Sequence, residues 1–290
     1  SALGKEVALI EGLHVGGDCT NVGCVPSKTL IHLAKNFKEG TNPDEVLRET
    51  IRKRDALRNL ETEEVQEIEN LTFIEGMAQF TAPKTLEITN SAGETQQITA
   101  ENIVISTGAR PRRLDIPGLP AERSMTNIEL FDLENAPKHI AIIGAGVIAL
   151  EMAFALQKIG TKVTMLALDK RALITSISEA AEAIQASLDH KGIATYYGAT
   201  AKSYDEATQT LTLTQGDAEI AVNDVDKVLV AIGRVRNIDV LGLEQAGVKS
   251  DPRMGITVNA FCETNIKGVY AIGDVTPTSA FTHSANAQGR

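Results

Sequence analysis

Between residues 140 and 190 the apolar and polar positions fall into alternating blocks. Ile140–Ile143 is a solid apolar run, residues 147–159 repeat apolar side chains at helical spacing, 162–166 form a second short run, and 179–190 return to the helical period. Strand, helix, strand, helix in that order predicts a parallel sheet with helices on both faces. Val228-Leu-Val-Ala-Ile-Gly-Arg234 reads as a buried strand ending in a glycine turn, and it closes this block. Upstream, helical spacing over 27–37 is followed by a turn at Gly40-Thr-Asn-Pro43 and a long polar stretch, 44–70. In that stretch Val46, Leu47, Ile51, Leu57, Leu60, Val65 and Ile68 predict one or two amphipathic helices, the charges forming a solvated face. Short β-like runs follow at 71–74, 86–88 and 103–106, with Ser91-Ala-Gly93 as a turn and Thr107-Gly108-Ala109-Arg110-Pro111 as an end. The Pro/Gly stretch Asp115–Pro120 marks a crossing and a second lies near Val235. Two interleaved α/β domains are therefore expected, one from 1–115 and 235–290, the other from 116–234.

Within the second block, Gly144-Ala-Gly146-Val-Ile-Ala149 is a G-x-G-x-x-A turn between a buried strand and a helix. Glycines there let the backbone approach a pyrophosphate at the helix N-terminus, and a small third residue lets the helix lie on the strand. A glycine turn alone is weak; the strand–turn–helix–strand frame makes it a dinucleotide site. The next strand should end in an acid for a free ribose hydroxyl, or be followed by a cation for a 2′-phosphate. Ala167 stands at the acidic position and Lys170 and Arg171 follow, which tilts the reading slightly to the phosphorylated nucleotide and leaves solvated loop charges as the alternative.

The chain's chemistry concentrates in Gly16-Gly17-Asp18-Cys19-Thr20-Asn21-Val22-Gly23-Cys24-Val25-Pro26-Ser27-Lys28. Pro26 suits the first turn of a helix, where its missing N–H costs nothing. Cys24 then sits at the positive end of a helix dipole with Lys28 a turn further in, an environment that favours thiolate, the attacking species in disulfide exchange. Cys19 is placed to close back onto it and resolve a mixed disulfide. With three cysteines in 290 residues the chain is Cys-poor, which argues for a redox pair rather than a structural bridge. Cys262, in an apparent strand over 256–264, reads as a small buried hydrophobe.

Composition narrows the function classes. The chain is 43% apolar without a long uncharged apolar run, so no membrane span is expected; a net charge of −10 with no basic block argues against a nucleic-acid surface. The first twelve residues read as a helix end, a turn, a strand and Glu11, the second half of a dinucleotide unit with its carboxylate on a ribose hydroxyl. Residues 280–290 enter a helix without a stop signal, and the chain reads as a fragment at both ends.

With the C-x4-C pair before a helix, the second glycine turn and Tyr270-Ala-Ile-Gly273-Asp274-Val275, the chain resembles the class I pyridine nucleotide–disulfide oxidoreductases, the group of dihydrolipoyl dehydrogenase, glutathione reductase and mercuric reductase. The resemblance implies two interleaved Rossmann-like domains binding FAD and NAD(P)H, with the C-terminal dimerisation domain and its His-Pro base absent. It implies Cys24 as the flavin-proximal thiol, Cys19 as the thiol that exchanges with substrate, and an ion pair of Lys28 with Glu151 beside the flavin. Cofactor-binding positions are implied at Glu11, Gly17, Thr107, Gly108, Gly273, Asp274 and His283, and at Gly144, Gly146, Ala149, Lys170, Arg171 and Gly233; no metal ligands are implied. His283 reads as a backbone-positioning or packing residue at the start of a helix aimed at the flavin. Val147 stands where glutathione reductase has a tyrosine lid, closer to the dihydrolipoyl dehydrogenase pattern.

The implied activity passes hydride from NAD(P)H through FAD to the Cys19–Cys24 disulfide, then to a disulfide, dithiol or related small-molecule or small-protein acceptor. Metal-ion and reactive-chlorine or hypothiocyanous-acid reductases of the same family are the alternatives, and single-cysteine flavin enzymes are disfavoured by the two thiols. A non-catalytic dinucleotide-binding module is the reading from another class. The full-length protein is expected to be a cytoplasmic homodimer.

Overall fold

The computed structural model describes residues 4–38, 40–277 and 280–290; the helix end read at Ser1–Leu3 lies outside them. In chain order the first half contains β1 (Val7–Glu11), α1 (Gly17–Asn21), α2 (Cys24–Lys35), α3 (Pro43–Gln66), β2 (Leu71–Glu75), β3 (Met77–Ala82), β4 (Thr85–Thr89), β5 (Thr95–Thr99), β6 (Ile103–Ile105), β7 (Ala109–Pro111), β8 (Ser124–Met125) and α4 (Asn127–Leu130). There follow β9 (His139–Ile143), α5 (Val147–Lys158), β10 (Lys162–Ala167), α6 (Ser178–His190), β11 (Ala194–Tyr197), β12 (Ala199–Asp205), β13 (Thr210–Gln215), β14 (Ala218–Val222) and β15 (Lys227–Val230). The last segment holds β16 (Arg234–Arg236), α7 (Leu243–Ala246), β17 (Ser250–Asp251), β18 (Gly255–Ile256), β19 (Val269–Ala271) and α8 (Thr282–Gln288).

The chain forms two compact units, one of Ser1–Cys19, Leu57–Arg110 and Arg234–Arg290, the other of Thr20–Ala56 and Pro111–Gly233. The chain passes from one unit to the other after Cys19, Ala56, Arg110 and Gly233. Residues 20–56, grouped with the first domain in the sequence reading, belong to the second unit because Leu30 and Ala34 of α2 and Val46 and Leu47 of α3 share a core with α5.

The second unit is built on a parallel five-stranded sheet in the order β11-β10-β9-β15-β8. Central β9 is buried at every position, and its side chains alternate between two cores. Ile140 and Ile142 join one cluster with α2, α5 and Leu188 of α6; Ala141 and Ile143 join the other with Leu211, Leu213 and Val222 of the antiparallel sheet β12-β13-β14. This corrects the expectation of helices on both faces: α5 and α6 lie on one side, and a meander whose Thr-rich alternation buries one face covers the other.

In the first unit, β1 pairs with β2 and β6 with β19, both in parallel, and β3-β4-β5 is an antiparallel sheet. Phe80, Ile103, Ile105, Leu243, Ile256, Val269 and Val275 form its core. The strand expected over 256–264 ends at Ile256. Asn259 accepts hydrogen bonds from the N–H of Phe261 and Glu263 at 2.9 and 3.1 Å and folds the chain into a turn, so Cys262 sits at φ 61, half-buried rather than buried in a sheet.

Candidate functional site

In the second unit the expected nucleotide turn is a tight link between β9 and α5. Gly144 has φ 124, and a Cβ there would lie 2.3 Å from the Ala231 carbonyl oxygen at the end of β15. Gly146 is the N-cap of the twelve-residue α5, and a Cβ on it would meet nothing within 4 Å. Ala149 is fully buried, as the close seat of helix on strand requires. The open space at Gly146 in front of the α5 amides fits a nucleotide phosphate. Beyond Ala167, Lys170 is exposed, whereas the Arg171 guanidinium donates to the carbonyls of Leu173, Ile174 and Ser176 at 3.3, 3.3 and 2.8 Å. Arg171 thus holds its own loop. Gly233, at φ 100, accepts from the Arg112 N–H at 2.9 Å at the unit's last residue.

The dithiol segment is more broken than its sequence suggests. Cys19 lies half-buried in the five-residue α1; α2 then starts at Cys24, three residues earlier than expected, with Gly23 as N-cap and Pro26 third. Exposed Cys24 therefore stands at the positive end of a twelve-residue helix. One turn on, Lys28 Nζ donates to both carboxylate oxygens of Glu151 at 2.7 and 2.8 Å. Glu151 is on α5, so the helix that opens at the nucleotide turn also clamps the lysine beside the thiol. The lysine side chain is 60% exposed and the glutamate 27%, a geometry that contributes little to stability and leaves the cation accessible from outside.

In the first unit, Glu11 ends β1 and accepts from the Leu13 N–H at 2.8 Å. Gly17 and Gly108 hold φ 58 and 66 with open space where a Cβ would point. Thr107 donates to the Asn237 carbonyl at 2.9 Å, and Asn237 Nδ2 donates to the Thr107 carbonyl at 2.8 Å. The Gly273 N–H donates to Gln288 of α8 at 2.7 Å. Exposed His283, on the first turn of α8, stacks on Phe281 with ring centroids 5.2 Å apart. Asp274 lies 3.7 Å from Arg234 Nε, an atom that is buried without a hydrogen-bond acceptor, while Arg234 Nη2 bonds Asp18 and the Ala109 carbonyl. Positive-φ glycines open to the outside and an orphaned guanidinium nitrogen fit a phosphorylated cofactor in this unit.

Asp18, Arg234 and Asn237 are not among the site residues that the sequence predicts. Asp18 and Arg234 each adjoin a residue that was read, Cys19 and Gly233, but their meeting across 216 positions has no sequence signal. Among the described residues no helix is long and apolar enough to cross a membrane, and no group of three or more His, Cys, Asp or Glu side chains is placed to hold a metal ion.

A parallel-sheet unit opening its helix on G-x-G-x-x-A, in one chain with a C-x4-C helix start, defines an α/β dinucleotide-binding protein of the dithiol type. The chain belongs to the pyridine nucleotide-disulphide oxidoreductase family, whose model matches residues 1–289, a family that uses FAD and NAD(P)H. It is 31% identical to a dihydrolipoyl dehydrogenase of Geobacillus stearothermophilus, covering 99% of this chain and 64% of that protein. It is 32% identical to a mercuric reductase of Staphylococcus aureus, covering 99% and 54%. Among solved structures it is similar to the Cu(II) complex of the HOCl-induced flavoprotein disulfide reductase RclA from Escherichia coli, with a TM-score of 0.90, 28% identity and coverage of 99% of this chain and 64% of that one. The chain thus spans less than two thirds of the length of these relatives.

Proposed function

We propose that the intact protein is an FAD-dependent NAD(P)H oxidoreductase that reduces a Cys19–Cys24 disulfide and passes the electrons to an external acceptor. The observation that carries this is Cys24 at the first residue of α2, one turn from a lysine held by Glu151 of the nucleotide-turn helix. Bound FAD and NAD(P)H supply the hydride and two-electron chemistry. FAD is assigned to the first unit, at Glu11, Gly17, Thr107, Gly108, Gly273 and Asp274, with α8 behind His283; the nicotinamide nucleotide is assigned to Gly144, Gly146, Ala149 and Lys170. Lys28, fixed by Glu151, is assigned the positive charge that favours the reduced, electron-rich cofactor.

The cysteines then complete the transfer. The Cys19 thiolate attacks an acceptor disulfide, forming a mixed disulfide and releasing one acceptor thiolate. Cys24 attacks the Cys19 sulfur, releases the second thiolate and restores the Cys19–Cys24 disulfide, so two electrons leave the protein. A second reading, reduction of a metal ion or a reactive chlorine species, is favoured by the similarity to a mercuric reductase and to RclA. The intact protein is assigned to a reducing cytoplasmic compartment and to a homodimer.

A steady-state screen of lipoamide, glutathione disulfide, mercuric and cupric ions and hypothiocyanous acid, each with NADH and NADPH, tests the reading. The expected result is a preference of at least about tenfold in kcat/KM for one acceptor, abolished by Cys24→Ser. Turnover of none of them by the intact protein with either nucleotide supports instead a non-catalytic dinucleotide-binding module.

A further inference from the structure

Arg234 carries a buried guanidinium nitrogen, Nε, without a hydrogen-bond acceptor. Its guanidinium lies between two carboxylates: Nη2 bonds Asp18, and Nε, buried and without an acceptor, faces Asp274 at 3.7 Å. Arg234 is 24% exposed and Asp18 50%. One cation and two anions leave a net negative charge, in the unit assigned above to a cofactor whose diphosphate is itself dianionic. A diphosphate needs donors of the kind a guanidinium fork supplies, and here part of that fork is committed to a side chain of the protein.

We propose that Asp18 sets the affinity of the first unit for its dinucleotide, by holding Arg234 in an internal ion pair that an incoming diphosphate has to share or displace. The proposal rests on the assignment of FAD to this unit. Asp18 acts through Arg234 and is a positioning residue. Its carboxylate occupies the counter-charge of the phosphates, which weakens binding; the same ion pair holds α1, the helix that carries Cys19, to β16. The orphaned Nε is the donor that remains for a phosphate oxygen or for a closer Asp274.

The test is titration of the intact apoprotein with FAD, followed by flavin fluorescence, for the wild type, Asp18→Asn, Asp18→Ser, Asp18→Glu, Arg234→Met and the Asp18→Asn/Arg234→Met double variant. Freeing the Arg234 fork for the diphosphate should tighten FAD binding about tenfold in Asp18→Asn and Asp18→Ser. Asp18→Glu should restore the wild-type Kd, Arg234→Met should weaken binding, and the double variant should show no gain over Arg234→Met. Unchanged or weaker binding in both Asp18→Asn and Asp18→Ser overturns the proposal, as does a gain that persists when Arg234 is absent. FAD binding by neither the wild type nor any variant overturns the assignment of FAD itself.

Discussion

Gly144 and Gly146 stand two positions apart and carry opposite constraints. Gly144 is glycine because its φ of 124 and the Ala231 carbonyl exclude a side chain; Gly146 has an ordinary φ of −83 and open space around it, so nothing within the chain excludes a Cβ there. Gly144→Ala should destabilise the second unit by about 3 kcal/mol or more, since the contact it makes is with backbone that cannot move aside. Gly146→Ala should melt close to the wild type and bind NADH and NADPH at least about tenfold more weakly, because its methyl intrudes where the pyrophosphate approaches. Thermal melts and nucleotide titrations of the two variants check this, and equal loss of nucleotide affinity without loss of stability in both would sink the distinction. Two arginines carry a similar lesson: Arg171, which sequence alone offers to a phosphate, donates to carbonyls of its own loop, while Arg234, next to Gly233 in the chain, pairs with Asp18.

Among the elements, β9 and β10 are joined by a buried polar seam as well as by their ladder. His139 at the start of β9 is 2% exposed; its Nε2 lies 2.9 Å from Thr164 Oγ1 on β10, and its Nδ1 lies 3.0 Å from the Asn223 carbonyl just past β14. Burial pushes the imidazole below its ordinary value of 6.5, with Lys162 adding to the effect against the opposing pull of Asn223 and Asp226. The folded protein therefore holds this ring neutral while the unfolded chain takes up a proton first, so stability rises with pH through the window below 6.5 and is lost as the solution is acidified. Urea midpoints at about pH 5 should fall below those at about pH 7.5, and His139→Gln should flatten the difference; an unchanged pH slope in that variant would remove His139 as the cause. The second unit's β-α-β-α elements were readable because period and length agree over each of them, and α2 and α3 were readable for the same reason. The meander β12-β13-β14 and the short α1 were not: Thr-rich strands exposed on one face carry a faint apolar signal, and five residues do not complete two helical turns. In the site, the Lys28–Glu151 pair came from family resemblance, since nothing local to α2 names a partner 123 positions away.

At the scale of the molecule, the second unit is made of two stretches, Thr20–Ala56 and Pro111–Gly233, and the first of three. The two units carry separate cores, so each is expected to respond to its own nucleotide: a ligand present at 100 times its Kd stabilises the unit it binds by about 2.7 kcal/mol. The parallel pair β6–β19 brings Ile103 against Val269, with the greater part of the second unit between them in the chain. That separation has a consequence for a chain emerging from the ribosome. By the time Gly233 has left the exit tunnel, both stretches of the second unit are available to close its sheet, while β6 still waits for a strand not yet synthesised. A nascent chain released from the tunnel through Gly233 should already resist a brief protease pulse over residues 111–233 and remain cleavable around Ile103 until β19 follows. The order of translation thus assigns the order of assembly, and the unit carrying Glu11 and Asp274 is the one that has to be shielded longest.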